Sequence, residues 1–194
     1  MDLIRSFIAI EIPQDVKDTI VEIQKNLRKI GANIRWVKTD GIHLTLKFLG
    51  DIKETDISKI EARLKNVCNG FLPFILKVKD MGVFPDIKRP RIIWIGIEDA
   101  SGTLQQLQGK IDFVIKDFCS KKEKRERFTP HLTIGRIKLP YRDAGLLSEA
   151  MDEFEKSEVG TFEAKEVSLI KSDLKPEGAM YTTLARISIG HHGS

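Results

Sequence analysis

The sequence has few of the residues that build disulfide frameworks and metal sites. Its 194 residues include 2 cysteines and 4 histidines, with no Cys-x-x-Cys or His-Glu-x-x-His spacing. Cys68 and Cys119 fall on the apolar sides of expected helices, which predicts buried thiols. Two of the histidines lie in the terminal residues 191–194. The other two, His43 and His131, have no third ligand at a recognisable spacing and are weak support for zinc. We therefore expect no disulfide, no metal and no cofactor.

Long apolar runs and targeting signals are also missing. No stretch approaches the ~20 apolar residues of a membrane-spanning helix. Residues 1–5 lack the basic region and the apolar run of a secretion signal. No glycine-rich loop resembles a nucleotide-triphosphate cradle, and no Ser or Cys nucleophile motif is present. These absences predict a cytoplasmic protein without membrane contact.

Charge is balanced, with a small excess of basic groups. The net charge is +4 and the pI is near 9.0, and basic residues cluster at Lys88–Arg91 and Lys121–Arg127. Such clusters are usually solvated loops, so they only weakly favour an anionic partner such as a nucleic acid.

One short motif occurs twice. Residues 43–46 read His-Leu-Thr-Leu and residues 131–134 read His-Leu-Thr-Ile, each within an apolar run that is typical of a strand. The other two histidines lie in residues 191–194, which we interpret as the remnant of a tag. Side chains alternate between the faces of a strand, so His and Thr of each motif share one face and the leucines face the core.

The order of expected elements also repeats. Each half of the chain, roughly 1–87 and 88–190, reads strand–helix–strand–helix with its His-x-Thr motif in the second strand. We therefore predict a single domain over residues 1–190, with an α+β fold. It would have two lobes related by a pseudo-twofold axis, each an antiparallel sheet with outer helices, around a central cleft. We expect a monomer.

Two imidazoles that face one cleft suit general acid–base catalysis, because one can accept a proton while the other donates one. Transfer at a phosphodiester needs both operations and also donors for the phosphate oxygens. The two threonine hydroxyls are on the correct face for that purpose. Alternation also places Lys47 on the face of His43, where it would add positive charge or form a solvated strand end.

The chain resembles the two-histidine (2H) phosphoesterase superfamily, and within it the bacterial and archaeal 2'-5' RNA ligase-like RNA 2',3'-cyclic phosphodiesterases. The matching segments, in the family's order, are Arg5–Ile10, Trp36–Val37, His43–Gly50, Gly82–Pro85, His131–Arg136 and Tyr181–Leu184.

This resemblance implies a metal-independent hydrolase. Its substrate would be RNA that ends in a 2',3'-cyclic phosphate, such as a tRNA fragment, and its product a 2'-phosphomonoester. His43 would donate a proton and His131 would accept one. Thr45, Thr133 and Arg136 would bind the phosphate. Some relatives also join RNA ends reversibly through a 2'-5' bond.

Two points stay open in the sequence. Strict alternation places Arg136 on the face opposite His131, so a phosphate role needs a bulge near Gly135, and without one Arg136 is a surface residue. Stacking on RNA is conceivable for Trp36, Phe7 and Phe84, although core packing is favoured for each. We assign Trp94 and Phe48 to the core.

Two other functions remain as alternatives. One is a phosphodiesterase for small cyclic phosphates, which would not prefer RNA ends. The other is a non-catalytic RNA-binding module, which would bind in a salt-sensitive way without turnover.

Overall fold

The protein has an α+β fold, as predicted. The computed structural model describes residues 3–29, 31, 33–119, 127–138, 144–152, 158–176 and 178–190. The strands are β1 (Leu3–Glu11), β2 (Ile34–Trp36), β3 (His43–Lys53), β4 (Phe74–Phe84), β5 (Ile92–Glu98), β6 (His131–Ile137), β7 (Glu158–Ala164), β8 (Glu166–Lys175) and β9 (Gly178–Ser188). The α-helices are α1 (Gln14–Arg28), α2 (Ile57–Cys68), α3 (Thr103–Ile115) and α4 (Ala144–Asp152). Of the helices in these ranges, none combines the length and the apolar character that crossing a membrane requires.

All strands join one curled antiparallel sheet. Its order is β7-β4-β5-β6-β3-β1-β8-β9, and the short β2 pairs with β6 beside the end of β3. The two strands that carry the repeated motif, β3 and β6, are therefore neighbours at the centre of the sheet. They pair at one position, Leu44 opposite Leu132.

This pairing defines a pseudo-twofold axis. Leu44 and Leu132 are the second residues of their motifs, and an antiparallel pair of equivalent residues is related by a local twofold axis perpendicular to the sheet. The strand order is symmetric about the same point. β5 and β4 flank β6 in the way that β1 and β8 flank β3. The predicted duplication is thus visible in the sheet.

The two halves of the chain exchange their outer strands. β4 follows β3 in the chain but pairs with β5 and β7 on the β6 side of the axis. β8 follows β7 but pairs with β1 on the β3 side. Each side of the sheet therefore contains strands from both halves of the sequence.

One face of the sheet packs against the helices. A continuous apolar core joins Leu44 and Leu132 to helix residues such as Ile20, Leu64 and Leu107, all fully buried. Each fully buried Leu or Ile side chain contributes about 1.5–3 kcal/mol of transfer free energy. The helices thereby hold the central strands from behind and leave the opposite face, with the histidines, to the cleft.

The two thiols differ from each other. Cys68 is buried in the core, as expected, and burial raises the pKa of its thiol to about 11. Cys119 is only partly buried. The basic segment 121–126 and the terminal residues 191–194 lie outside the described residues.

Candidate active site

Each motif strand contains a β-bulge directly after its His-x-Thr sequence. On β3, Thr45 pairs with Ala9 and Lys47 with the preceding residue of β1, Ile8, so Leu46 has no partner of its own. On β6, Thr133 pairs with Trp94 and Gly135 with Ile93, so Ile134 has no opposing residue on β5. The two bulges fall at equivalent positions of the repeat.

A glutamine from a helix binds the carbonyl group at each bulge. Gln24 of α1 donates from Nε2 to the Ile134 oxygen, 2.9 Å away, and to the Val37 oxygen, also at 2.9 Å. Gln108 of α3 donates to the Leu46 oxygen at 3.2 Å. A bulge disrupts the regular ladder, and a side-chain amide can satisfy the backbone there. Each helix thus fixes the motif strand of the other half.

The bulges reverse the alternation of side chains for the residues that follow. Lys47 is turned to the helix side, where its Nζ lies 2.8 Å from Asp112 of α3. Phe48 is turned to the cleft side, where it is 55% exposed and its ring lies 6.0 Å from that of Phe7. The predictions that Lys47 faces the same way as His43 and that Phe48 belongs to the core are therefore wrong.

The second bulge places Arg136 on the face of His131 and Thr133. Arg136 is exposed and pairs with Ile92, which alternates with the core residue Ile93. A Cβ at Gly135 would lie 2.9 Å from Ile34 Cγ2, so glycine is needed for this close approach. Of the two alternatives in the sequence, the structure has the bulge.

The structure brings the four motif side chains together. His43, Thr45, His131 and Thr133 are all partly buried on the cleft face. The Leu44–Leu132 pair sets the register, so His43 lies beside Thr133, and Thr45 lies beside His131, on the two sides of the axis. Two His-Thr pairs therefore meet at the centre of the sheet.

His43 lies in the more apolar surroundings. Its ring contacts Phe7 and Tyr181 edge to face, with centroid distances of 5.6 and 5.1 Å. Burial is the main cause that lowers the pKa of His43 to about 4, and the positive charge of Lys17 acts in the same direction. Glu11, a hydrogen bond to the Gly41 backbone and Asp40 oppose this shift. In the ligand-free protein His43 is thus neutral at pH 7.

Glu11 lies directly across from His43 on β1 and is held by several donors. Its Oε1 accepts hydrogen bonds from Ser168 Oγ at 2.8 Å and from Arg186 Nε at 3.4 Å. Partial burial alone would raise the pKa of Glu11, but the Ser168 bond and the Arg186 charge outweigh it and lower the pKa. The carboxylate is therefore a fixed negative charge beside His43.

His131 is oriented by a backbone carbonyl. Its Nδ1 lies 2.7 Å from the Thr129 oxygen. A carbonyl oxygen only accepts, so Nδ1 carries the hydrogen, and Nε2 of the neutral ring is left as a proton acceptor. The rings of Phe84 and Trp94 lie 5.0 and 6.5 Å away.

Trp94 is close to His131 because glycine lies beneath its indole ring. Gly82 of β4 pairs directly with Trp94, and a Cβ at Gly82 would lie 2.2 Å from Trp94 Cζ2. Trp94 is half-buried on the cleft face, so its assignment to the core is wrong. Phe84 is half-buried beside it. Phe7 is buried, but on the cleft face in a small cluster apart from the main core.

Three residues of the site were not predicted from the sequence: Glu11, Trp94 and Tyr181. Tyr181 falls within a segment of the family resemblance, which was a signal that it contributes to the site. The alternation of side chains along β5 could have indicated that Trp94 faces the cleft, since its neighbours Ile93 and Ile95 are the apolar residues that face the core. Glu11 had no signal, because only the β1–β3 register brings it to His43. Within the described ranges, no three His, Cys, Asp or Glu side chains form a group that could hold a metal ion.

A duplicated antiparallel sheet with one His-x-Thr motif on each central strand defines a phosphoesterase of the two-histidine class. Within that class, the chain belongs to the LigT-like phosphoesterase family, whose sequence model, described as "LigT like Phosphoesterase", matches residues 10–94 and again residues 95–181.

Curated relatives match over nearly their whole length. A protein of Methanothermobacter thermautotrophicus named RNA 2',3'-cyclic phosphodiesterase is 34% identical over 93% of this chain and 96% of its own length. A protein of Aquifex aeolicus with the same name is 31% identical over 98% and 100%. Among solved structures, TT0787 of Thermus thermophilus superposes with a TM-score of 0.80 at 25% identity, covering 97% of this chain and 100% of that one.

Proposed function

We propose that this protein is an enzyme that hydrolyses RNA 2',3'-cyclic phosphodiester ends to 2'-phosphomonoesters. The observation that carries the proposal is the meeting of two His-Thr pairs on one face, on either side of the Leu44–Leu132 pair. The names of the relatives supply the substrate class, since both are RNA 2',3'-cyclic phosphodiesterases.

The proposed reaction needs one proton acceptor and one proton donor. His131 takes a proton from water through Nε2, and the water oxygen forms a bond to phosphorus. The bond from phosphorus to the 3' oxygen breaks, and His43 gives that oxygen a proton. The Thr129 contact is compatible with the acceptor role, because in the neutral ring of His131 it places the hydrogen on Nδ1 and leaves Nε2 able to accept. His43 has the equivalent contact at Gly41, so the assignment of donor and acceptor follows the family resemblance.

His43 can donate only when it is protonated, and its pKa of about 4 opposes this in the ligand-free protein. An anionic phosphate next to the ring favours the imidazolium form and raises the pKa. Substrate binding would therefore favour protonation of His43 by solvent. The neighbouring Glu11 carboxylate would assist, because it acts on His43 in the same direction.

The remaining polar groups would bind the phosphate. Thr45 and Thr133 would donate their hydroxyl hydrogens to the nonbridging oxygens, and Arg136 would add positive charge from the same face. Reversible 2'-5' RNA ligation would use the same site, with an RNA hydroxyl in the place of water. We keep as predictions the single domain over residues 1–190, substrates such as tRNA fragments, a monomeric state and a cytoplasmic location.

The test is incubation of the protein, with EDTA present, with a short RNA that ends in a 2',3'-cyclic phosphate. We expect a product with a 2'-phosphate, identified by its resistance to an enzyme that removes only 3'-phosphates. A His43→Ala preparation made in parallel controls for contaminating phosphodiesterases. Binding without turnover would replace the proposal with an RNA-binding module. Turnover of small cyclic phosphates alone would replace RNA as the substrate.

A further inference from the structure

Two arginines lie directly opposite each other at one end of the site. Arg35 of β2 pairs with Arg136 of β6. Their strand neighbours Ile34, Trp36 and Gly135 pack together on the core side, so both arginines face the cleft. Directly opposed residues of an antiparallel pair have their Cβ atoms about 5 Å apart.

This arrangement is unfavourable without a ligand. Like charges directly opposite each other on neighbouring strands destabilise a sheet. Arg35 and Arg136 are both exposed, and neither takes part in the ion pairs that the described residues form. The two guanidinium groups therefore have no carboxylate within 4 Å in the part of the chain that the structure describes. An anion between them would relieve the repulsion.

A third cation lies at the same rim. The turn between β8 and β9 approaches β2, and a Cβ at Gly178 would lie 3.8 Å from Arg35 Nη2 and 4.0 Å from Lys38 Cε. The Arg35 side chain thus extends from the opposed pair toward the β8–β9 turn, with Lys38 beside it. Arg35, Lys38 and Arg136 form a basic rim beyond the His43–Thr133 row. The rim begins at the Arg136–Ile92 pair, two positions along β5 from the Thr133–Trp94 pair.

The charge of this rim exceeds that of a cyclic phosphate. A cyclic phosphodiester carries one negative charge and the Glu11 carboxylate beside His43 carries another, and an imidazolium at His43 with Arg136 would already balance the two. Arg35 and Lys38 add two more positive charges. Excess positive charge along a groove is the electrostatic signature of a polyanion such as a nucleic-acid backbone.

We propose that Arg35, with Lys38, binds the phosphodiester that precedes the cyclic end and so makes the enzyme prefer an RNA chain to a mononucleotide. This inference rests on the proposed function, because it assumes that the cyclic phosphate reacts between the two histidines. It names a substrate-binding residue on β2, a strand that contains neither motif.

The kinetic test compares Arg35→Ala with the wild-type enzyme on two substrates. One is a trinucleotide that ends in a 2',3'-cyclic phosphate, and the other is a nucleoside 2',3'-cyclic phosphate with no further phosphate. We expect kcat/KM for the trinucleotide to fall about 10- to 100-fold, the size of one lost hydrogen bond to a charged group. For the mononucleotide we expect a change of less than about twofold, because it has no phosphate at this position. Equal losses on both substrates, or no loss on either, would overturn the inference.

A binding test does not depend on turnover. We would measure the affinity of a trinucleotide that ends in a 2'-phosphate as a function of salt concentration. Loss of one phosphate contact to single-stranded RNA reduces the slope of log K against log salt by about 0.7. We expect that reduction for Arg35→Ala and a partial recovery for Arg35→Lys. An unchanged slope would contradict the inference even if the protein hydrolysed no RNA.

Two controls separate binding from folding. Lys59→Ala removes an exposed cation on α2, behind the sheet, and should leave both substrates and the salt slope unchanged. Arg35→Ala should not lower the melting temperature, since it removes a like-charge pair from an exposed position. Failure of the proposed function would appear differently, as absence of turnover by the wild-type protein on both substrates.

Discussion

The two halves of the site have the same backbone and different side chains. Each has a His-x-Thr motif, a bulge after it, a glutamine bound to the bulge carbonyl, and a histidine ring bonded to the backbone two residues earlier, at Gly41 or Thr129. Each histidine also contacts two aromatic rings. The bulge, the glutamine and the backbone hydrogen bond that orient each histidine are thus present in both halves.

The residues that surround the two histidines differ between the halves. The strand position opposite His43 carries Glu11, and the one opposite His131 carries Gly96. Five residues after the histidine, the first half presents Phe48 and the second half presents Arg136, both on the cleft face. The surroundings of His43 are therefore apolar and include one carboxylate, whereas those of His131 include the cation Arg136. Such a difference allows two chemically identical imidazoles to perform opposite proton transfers.

The largest expected effect tests whether both halves take part in the reaction. We predict that His43→Ala and His131→Ala each lower kcat by about 10²- to 10⁴-fold, because each removes the proposed general acid or base. The double variant should be little slower than the slower single variant, because groups that act as a unit are not additive. Single-turnover rates on an RNA 2',3'-cyclic phosphate, with circular dichroism to verify folding, provide the measurement. A rate near that of the wild type in either single variant would show that the histidine of that half is not needed for the reaction.

The repeat, the helices and the faces of the motif residues were predictable from the sequence, because periodicity is a local property. Leu44 and Leu132 alternate with His and Thr as a half-buried strand requires. The outcome for Phe48 and Lys47 was not predictable in this way. One inserted residue reverses the face of everything after it, and Leu46 looks like any other apolar strand residue. For Arg136, Gly135 gave a hint of the bulge.

Contacts between distant parts of the chain were harder to predict. The exchange of β4 and β8 between the two sides of the sheet decides which residues line the cleft. It brings Tyr181 of β9 to His43 and Phe84 of β4 to His131. Nothing in the local pattern of either segment specifies its partner strand, since alternation fixes a face and not a neighbour. The opposition of Arg35 and Arg136 likewise depends on register.

The difference in burial between the halves predicts a pH effect on stability. The pKa of His43 falls from an ordinary 6.5 to about 4 on folding, so between these values the unfolded chain binds a proton that the folded protein does not. The free energy of unfolding should therefore fall as the pH falls through this window, by about 3 kcal/mol at most. The His43→Gln variant should lose this part of the dependence.

Urea unfolding at several pH values between 7 and 4 provides the measurement for His43. Lys17→Gln gives an intermediate case, because it removes a positive charge that acts together with burial. If the wild type and His43→Gln lost stability in parallel over the whole range, the buried neutral state of His43 would be disproved.

The smallest expected effect concerns Phe48, the counterpart of Arg136. An exposed aromatic ring on the cleft face, in line with Phe7 and His43, is suited to stack on a nucleobase. We expect Phe48→Ala to lower kcat/KM about 5- to 150-fold for an RNA end, the equivalent of about 1–3 kcal/mol for one stacked base. A cyclic phosphate without a base, such as glycerol 1,2-cyclic phosphate, should react at nearly the wild-type rate.

The matched control for Phe48 is Phe113→Ala on α3. Phe113 is also an exposed phenylalanine, 69% accessible, but it lies on a helix behind the sheet. If Phe48→Ala behaved like Phe113→Ala, or slowed the base-free substrate as much as RNA, the exposed ring would not contact a base. The first half-site would then differ from the second only in its proton chemistry. A base-selective loss would instead assign the ring of Phe48 to the base and the guanidinium of Arg136 to the phosphate, from the same position of the two repeats.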